Sequence, residues 1–66
     1  MKIKYDNKTD CLSISLTDSE EYFESEEIEQ NFILDFNKNG KVIGIEILNA
    51  SKRADLKSIT FEPLAV

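Results

Sequence analysis

The strongest constraint on this chain is a pair of alternating apolar runs set around a turn. Phe32, Leu34 and Phe36 alternate with Ile33 and Asp35, and Ile43, Ile45 and Ile47 alternate with Gly44 and Glu46. Between the runs lies Asn37-Lys38-Asn39-Gly40, made of residues that tolerate positive φ. A period of two puts each apolar set on one side of a pleated strand, so the segment is expected to form a β-hairpin. Pairing Phe36 with Lys41 would set Leu34 opposite Ile43 and Phe32 opposite Ile45. A slip of one residue would instead set Leu34 opposite Gly44 and Phe32 opposite Glu46, wasting the apolar face.

The same stretch carries a rival pattern. Asp35 to Glu46, DFNKNGKVIGIE, matches the calcium-loop pattern D-x-[DN]-x-[DN]-G-x₅-E. On that reading Asp35, Asn37, Asn39 and Glu46 would offer side-chain oxygens, Lys41 a backbone carbonyl and Gly40 the sharp turn. Three features oppose it. A helix would have to leave near Gly44, where Gly and β-branched Ile45 and Ile47 each cost roughly 0.5–1 kcal/mol against Ala. Only Asp35 and Glu46 are anionic ligands, and Lys38 and Lys41 sit inside the loop. The rest of the chain alternates like strands and offers no second hand. The hairpin is therefore the expected structure and calcium binding the alternative.

Elsewhere the pattern is also mostly β. Met1, Ile3 and Tyr5 alternate with Lys2 and Lys4, and Leu12, Ile14 and Leu16 alternate with Cys11, Ser13, Ser15 and Thr17. The turn-rich Asp6 to Asp10 between them completes a first hairpin. Thr17 to Gln30 is ambiguous. Thr17 with Glu20, or Asp18 with Glu21, resembles a capping box, yet Tyr22, Phe23 and Ile28 gather on no helical face. A loop followed by an irregular strand near Phe23 to Glu29 is expected. Asn49 to Leu56 reads as a short helix or helical turn capped by Asn49 or Ser51. Ser58 to Glu62 reads as a last strand ended by Pro63. The expected fold is α+β: a small antiparallel sheet of two hairpins, with one short helix or helical turn near the C-terminus, in a single domain over residues 1–66.

Size and charge narrow the function. A chain of 66 residues buries only about 60% of the surface its unfolded form exposes, so the core is thin. Cys11 is the sole cysteine, which rules out an internal disulfide and suits a reduced, cytoplasmic setting. No signal peptide or membrane span is visible. Asp18 to Glu29 holds seven acids and no base, within a net charge of −5. That balance argues against binding a phosphate backbone directly. It suits a basic protein partner, mimicry of nucleic acid, or a solvated face.

With MKIKYD, DCLSISL and ILDFNKNGKVIGIEILNASKR in view, the chain resembles the YuzE-like small bacterial proteins, known as domain of unknown function 2283. The resemblance spans nearly the whole chain. Its most specific parts are Tyr5-Asp6, Asp10 followed by Leu12, and Gly44-Ile45-Glu46-Ile47-Leu48 leading into Ala50-Ser51. Cys11 stands where the family usually has Ala or Val, and Asn49 where Asp is common. The resemblance implies a small α+β domain with no established activity and no catalytic residues to carry over. Members look like small antitoxin-type proteins paired with a toxin-like neighbour, which implies a protein partner.

The chain has no His, so the usual general base and commonest transition-metal ligand are missing. One Cys cannot build a zinc site. Cys11 next to Asp10 is expected to be a packing residue rather than an activated nucleophile. The remaining candidates are the carboxylates Asp6, Asp10, Asp35 and Glu46. A carboxylate pair in a cleft can do acid–base work. The structural reading has Asp6 and Asp10 fixing their turn and Glu46 pairing with a cation such as Arg53. Gly40 and Gly44 form no phosphate loop; Gly44 marks a bulge or a close approach.

Apolar residues fall on both sides of the expected sheet: Ile33, Val42 and Leu48 oppose the main set. A sheet of this kind needs covering. The helix and the tail Leu64-Ala65-Val66 can cover part of it, and a second copy or another protein the rest. The expectation is a non-enzymatic interaction module without a cofactor, acting as a homodimer or with a protein partner, basic in the antitoxin-like case. A small ligand binder or enzyme built on Asp35 and Glu46 is the competing view.

Overall fold

The computed structural model describes residues 1–19 and 21–65. Five strands form one antiparallel sheet: β1 (Lys2–Asp6), β2 (Cys11–Ser15), β3 (Glu24–Glu29), β4 (Phe32–Phe36) and β5 (Val42–Leu48). Their order across the sheet is β1-β2-β5-β4-β3. The first hairpin thus joins a three-strand meander, β3-β4-β5, through pairing of β2 with β5. The irregular strand expected near Phe23 to Glu29 is β3, with a register shift between Glu27 and Glu29. Glu20, one half of the proposed capping box, lies outside the described residues.

Turn chemistry closes each hairpin. The Asp6 carboxylate accepts the Lys8 N–H at 2.9 Å. Between β4 and β5, Gly40 takes φ 77° and donates its N–H to the Asn37 carbonyl at 3.1 Å. The Asn37 side-chain Oδ1 accepts the N–H groups of Asn39 and Lys41 at 2.9 and 3.0 Å. Asn37, at the start of this turn, is buried. The non-glycine residues with positive φ are Asp10, Asn31 and Asn49, residue types whose short polar side chains tolerate the left-handed region.

The β4–β5 hairpin forms, but not in the expected register. Phe36 pairs with Val42, Leu34 with Ile45 and Phe32 with Ile47. The register shifts between Asp35, which pairs with Gly44, and Phe36, leaving Ile43 as the extra residue of a bulge. Relative to the expected Leu34–Ile43 pair the slip is two residues, which keeps Ile45 and Ile47 on the face of Leu34 and Phe32; Phe36 slips by one, and Val42, expected on the opposite face, joins Phe36 instead.

Two corrections concern the C-terminal part. Of the short helix or helical turn expected over Asn49 to Leu56, only a single 3₁₀ turn forms, Ala50–Lys52, and Asn49 makes no side-chain cap bond. The fold is therefore mostly β rather than α+β. Residues 58–62 belong to no strand and are exposed. A lone alternating run needs a neighbour to complete its ladder, and this one pairs with neither edge strand, β1 nor β3.

Pairing lines up two apolar rows across one face. Ile3, Ile14, Ile45 and Leu34 form the first and end at Glu26. Tyr5, Leu12, Ile47 and Phe32 form the second and end at Glu29. The buried apolar residues are Leu12, Ile43 and Ala50, while Ile3 and Tyr5 remain 46% and 44% exposed. The expected cover from the tail does not form: Leu64 is 86% exposed, and Val66 lies outside the described residues. Among the described residues, no helix is long and apolar enough to cross a membrane.

Candidate functional site

The opposite face is polar and carries the candidate carboxylates. Its rows are Lys4–Ser13–Glu46–Ile33–Glu27 and Lys2–Ser15–Gly44–Asp35–Ser25. The missing side chain at Gly44 makes the site. A Cβ there would sit 3.0 Å from Asp35 Oδ2 and 3.2 Å from the Ile14 carbonyl oxygen. Asp35 leans into that space, so the mid-strand glycine reflects both a bulge and a close approach, as its position in the sequence implied.

Four groups from different parts of the chain then connect. The Tyr22 hydroxyl lies 2.8 Å from Ser25 Oγ. Ser25 donates to Asp35 Oδ1 at 2.6 Å. Asp35 stands within hydrogen-bonding reach of Glu46 and raises the Glu46 pKa, with burial adding to the rise. The Asp35 charge disfavours a second like charge beside it, which adds to the rise. The surrounding cleft is open, about 510 Å³, and is also lined by Ser13, Ser15, Thr17 and Asp18. Such a site can accept hydrogen bonds from hydroxyls or amines.

The sequence therefore placed Asp35 and Glu46 together correctly, though with Asp35 facing Val42 rather than Gly44. It missed Tyr22 and Ser25, which come from the ambiguous acidic stretch. The hint was available: a serine amid glutamates on a strand beside β4 is placed to meet Asp35. The calcium-loop geometry does not form, because residues 35–46 run strand–turn–strand and Asn37 Oδ1 closes the turn. Among the described residues, no group of three or more His, Cys, Asp or Glu gathers as metal ligands do.

Asp6 and Asp10 do not join this cleft. Asp6 closes its turn, as expected. Asp10 does more than fix a turn. Its carboxylate accepts the Tyr5 hydroxyl at 2.7 Å, the Ser51 N–H at 3.0 Å and the Ser51 hydroxyl at 2.7 Å. Its carbonyl accepts the Ala50 N–H at 2.9 Å. These bonds, led by that from Tyr5, hold the Asp10 carboxyl below its ordinary range, while the same bond raises the Tyr5 phenol. Three donors from β1 and the 3₁₀ turn converge on the carboxylate, so its role is to clamp that turn onto the first hairpin. The expected pairing of Glu46 with Arg53 is corrected: Arg53 bonds Glu29 at 2.6 Å and the Gln30 carbonyl at 3.2 Å, and covers the Phe32 ring at 4.6 Å.

A five-stranded antiparallel sheet, apolar on one face and bearing a carboxyl pair on the other, defines the protein's class. The chain belongs to the family described as "Protein of unknown function (DUF2283)", which matches residues 2–51. That span holds all five strands and ends at Ser51, the residue that bonds Asp10. No curated protein and no solved structure matches the chain.

Proposed function

We propose that the protein is a non-enzymatic protein-interaction module whose binding element is the apolar face of the sheet. One observation carries this reading: two rows of aliphatic and aromatic side chains cross the sheet, and although Leu12 is buried and Arg53 lies over the Phe32 ring, the β1 ends of the rows, Ile3 and Tyr5, stay largely exposed. Folded domains bury such a face against another layer. The edges are less suited to contact. Lys2 and Lys4 on β1 and the glutamates of β3 discourage each edge from pairing with its own kind. A fitting partner is apolar opposite the rows and basic opposite β3. A small antitoxin acting on a basic toxin in the cytoplasm would be one such case. In-cell photo-crosslinking tests the reading. Crosslinkers at Tyr5 or Phe32 should capture protein, and crosslinkers at Lys4 or Ser25 should not. Equal capture from both faces, or none from either, would defeat it.

The second reading, a small-ligand binder, is favoured by the Tyr22–Ser25–Asp35–Glu46 chain within its cleft. Titration with simple polyols and amines, followed by amide chemical shifts, tests it. Shifts confined to residues around Gly44 would support it, and an unchanged spectrum at millimolar ligand would end it.

A further inference from the structure

Asn39-Gly40 is the single Asn-Gly pair in the chain, and the fold leaves it in the open. Both residues are exposed, at the tip of the β4–β5 hairpin. Asparagine is chemically labile where the next backbone nitrogen can reach its side-chain carbonyl. Glycine permits that approach, because it has no Cβ and adopts either sign of φ. The space at Gly40 is also empty: a Cβ built there would meet nothing within 4 Å.

The other asparagines are worse placed. Asn7, Asn31, Asn37 and Asn49 precede Lys8, Phe32, Lys38 and Ala50, and each of these brings a Cβ to the attacking nitrogen. The fold adds restraints at three of those positions. The Asp6 carboxylate holds the Lys8 N–H at 2.9 Å. The Asp10 carbonyl holds the Ala50 N–H at 2.9 Å, and Ala50 itself is buried. Asn37 is buried, with two N–H groups on its Oδ1. The Gly40 N–H also has a partner, the Asn37 carbonyl at 3.1 Å. That bond lies inside an exposed turn, where local opening is least costly. Lys38 and Lys41 bracket the pair in sequence, and positive charge nearby favours the anionic nitrogen that attacks.

We propose that Asn39 is a site of spontaneous deamidation that loosens the central hairpin as the protein ages. Hydroxide removes the Gly40 amide proton, and the nitrogen attacks Asn39 Cγ. A new N–C bond closes a succinimide ring. The bond from Cγ to the side-chain nitrogen breaks, and that nitrogen takes a proton from water and leaves as ammonia, which returns the hydroxide. Water then opens the ring. Addition at the side-chain carbonyl yields aspartate, and addition at the main-chain carbonyl yields isoaspartate. Nothing is oxidised or reduced, and water is the co-reactant.

The two products affect the fold differently. Aspartate keeps the backbone as it was. Isoaspartate moves the side-chain methylene into the main chain. Asn37 Oδ1 accepts an N–H on either side of that insertion, from Asn39 at 2.9 Å and from Lys41 at 3.0 Å. The bond from the Asn37 N–H to the Lys41 carbonyl, 3.0 Å, closes the same loop. One short side chain cannot keep these bonds once the chain between them lengthens. The loss falls on β5, the strand that joins the first hairpin to the rest of the sheet.

The test ages the purified full chain in warm, mildly alkaline buffer and maps its peptides by mass. Amide should give way to acid at Asn39 at least about tenfold faster than at any other asparagine. An isoaspartyl methyltransferase with a labelled methyl donor should mark the peptide that contains Gly40. Once separated by chromatography, the isoaspartyl form should unfold at lower urea than the fresh chain, and the aspartyl form close to it. Asn39→Ser retains the backbone N–H that bonds Asn37, so it should keep its stability through the same ageing. An Asn39 that stays intact, or that reacts no faster than Asn7 or Asn49, overturns the proposal. So does an isoaspartyl chain as stable as the fresh one, or an Asn39→Ser chain that weakens at the parent's rate.

Discussion

Ser51 reaches back 41 positions to give Asp10 two hydrogen bonds, one from its backbone N–H and one from its hydroxyl. Tyr5 supplies a third from the far side of the first hairpin. Three short stretches that mark the family resemblance, Tyr5-Asp6, Asp10 with Leu12, and Ala50-Ser51, therefore meet at one carboxylate. Ser51→Ala should lower the thermal midpoint and raise amide exchange at Ala50 and Ser51. Exchange within β3 and β4, which lie away from the clamp, should stay unchanged.

Acid should act through Asp10. Its folded pKa is depressed, by Tyr5 first and Ser51 second. The stability it contributes is complete above the unfolded carboxylate value and is lost as pH falls through the lower folded value. Chemical denaturation of Asp10→Asn across the acid range should show a shallower loss of stability than the parent chain.

Glu46 should act in the opposite sense. Its folded pKa is raised, by the hydrogen bond with Asp35 first, with burial and the Asp35 charge adding to it. Its contribution is therefore complete below the unfolded value and is lost as pH rises through the folded one. Glu46→Gln keeps a donor and removes the charge. The variant should be more stable than the parent at neutral pH, with the gain vanishing in acid. A neutral-pH loss would contradict the carboxyl pairing.

Gly44→Ala should destabilise the chain. The new methyl meets Asp35 Oδ2 at 3.0 Å and the Ile14 carbonyl at 3.2 Å. The side chain can move aside but the backbone cannot do so easily, so the cost is expected at about 1–3 kcal/mol, as for overpacking. Adding Asp35→Ser should recover part of this in urea denaturation, leaving the share due to Ile14.

Asn37→Ala should also be costly, because it strands the N–H groups of Asn39 and Lys41 beside a buried position. The loss is expected at about 1–3 kcal/mol. Asn37→Asp keeps both acceptor bonds and should retain most of the stability. Equal losses in the two variants would mean that the side-chain oxygen is not what secures the turn.

Much of this architecture could be read from residue order. Alternation in Met1 to Tyr5, Cys11 to Thr17, Phe32 to Phe36 and Ile43 to Ile47 located four strands. The register of the β4–β5 hairpin was missed by two because the turn absorbs Lys41 and the strand bulges at Ile43. Parity survives the slip of two, so the faces of Ile45 and Ile47 were right although their partners were wrong, while Val42, ahead of the bulge, moved to the other face. The glutamates of β3 have low strand propensity, and only the pairing edge of β4 explains their conformation. The helix stopped at a single 3₁₀ turn because Asn49 takes a left-handed conformation and Ser51 spends its donors on Asp10. For Ile59 and Phe61 the alternation is real, but no strand of the same chain stands beside them. Tyr22 and Ser25 escaped notice because a hydroxyl acquires its role from what the fold sets next to it.

The strand order also dictates when this protein can take shape. β5 is the last strand to leave the ribosome, yet it occupies the middle of the sheet. Until Leu48 has emerged, the β1–β2 and β3–β4 hairpins have nothing to join them. A nascent chain stalled before Val42 would present two orphan ribbons, each with an unpaired border, and completion of one central ribbon closes both at once.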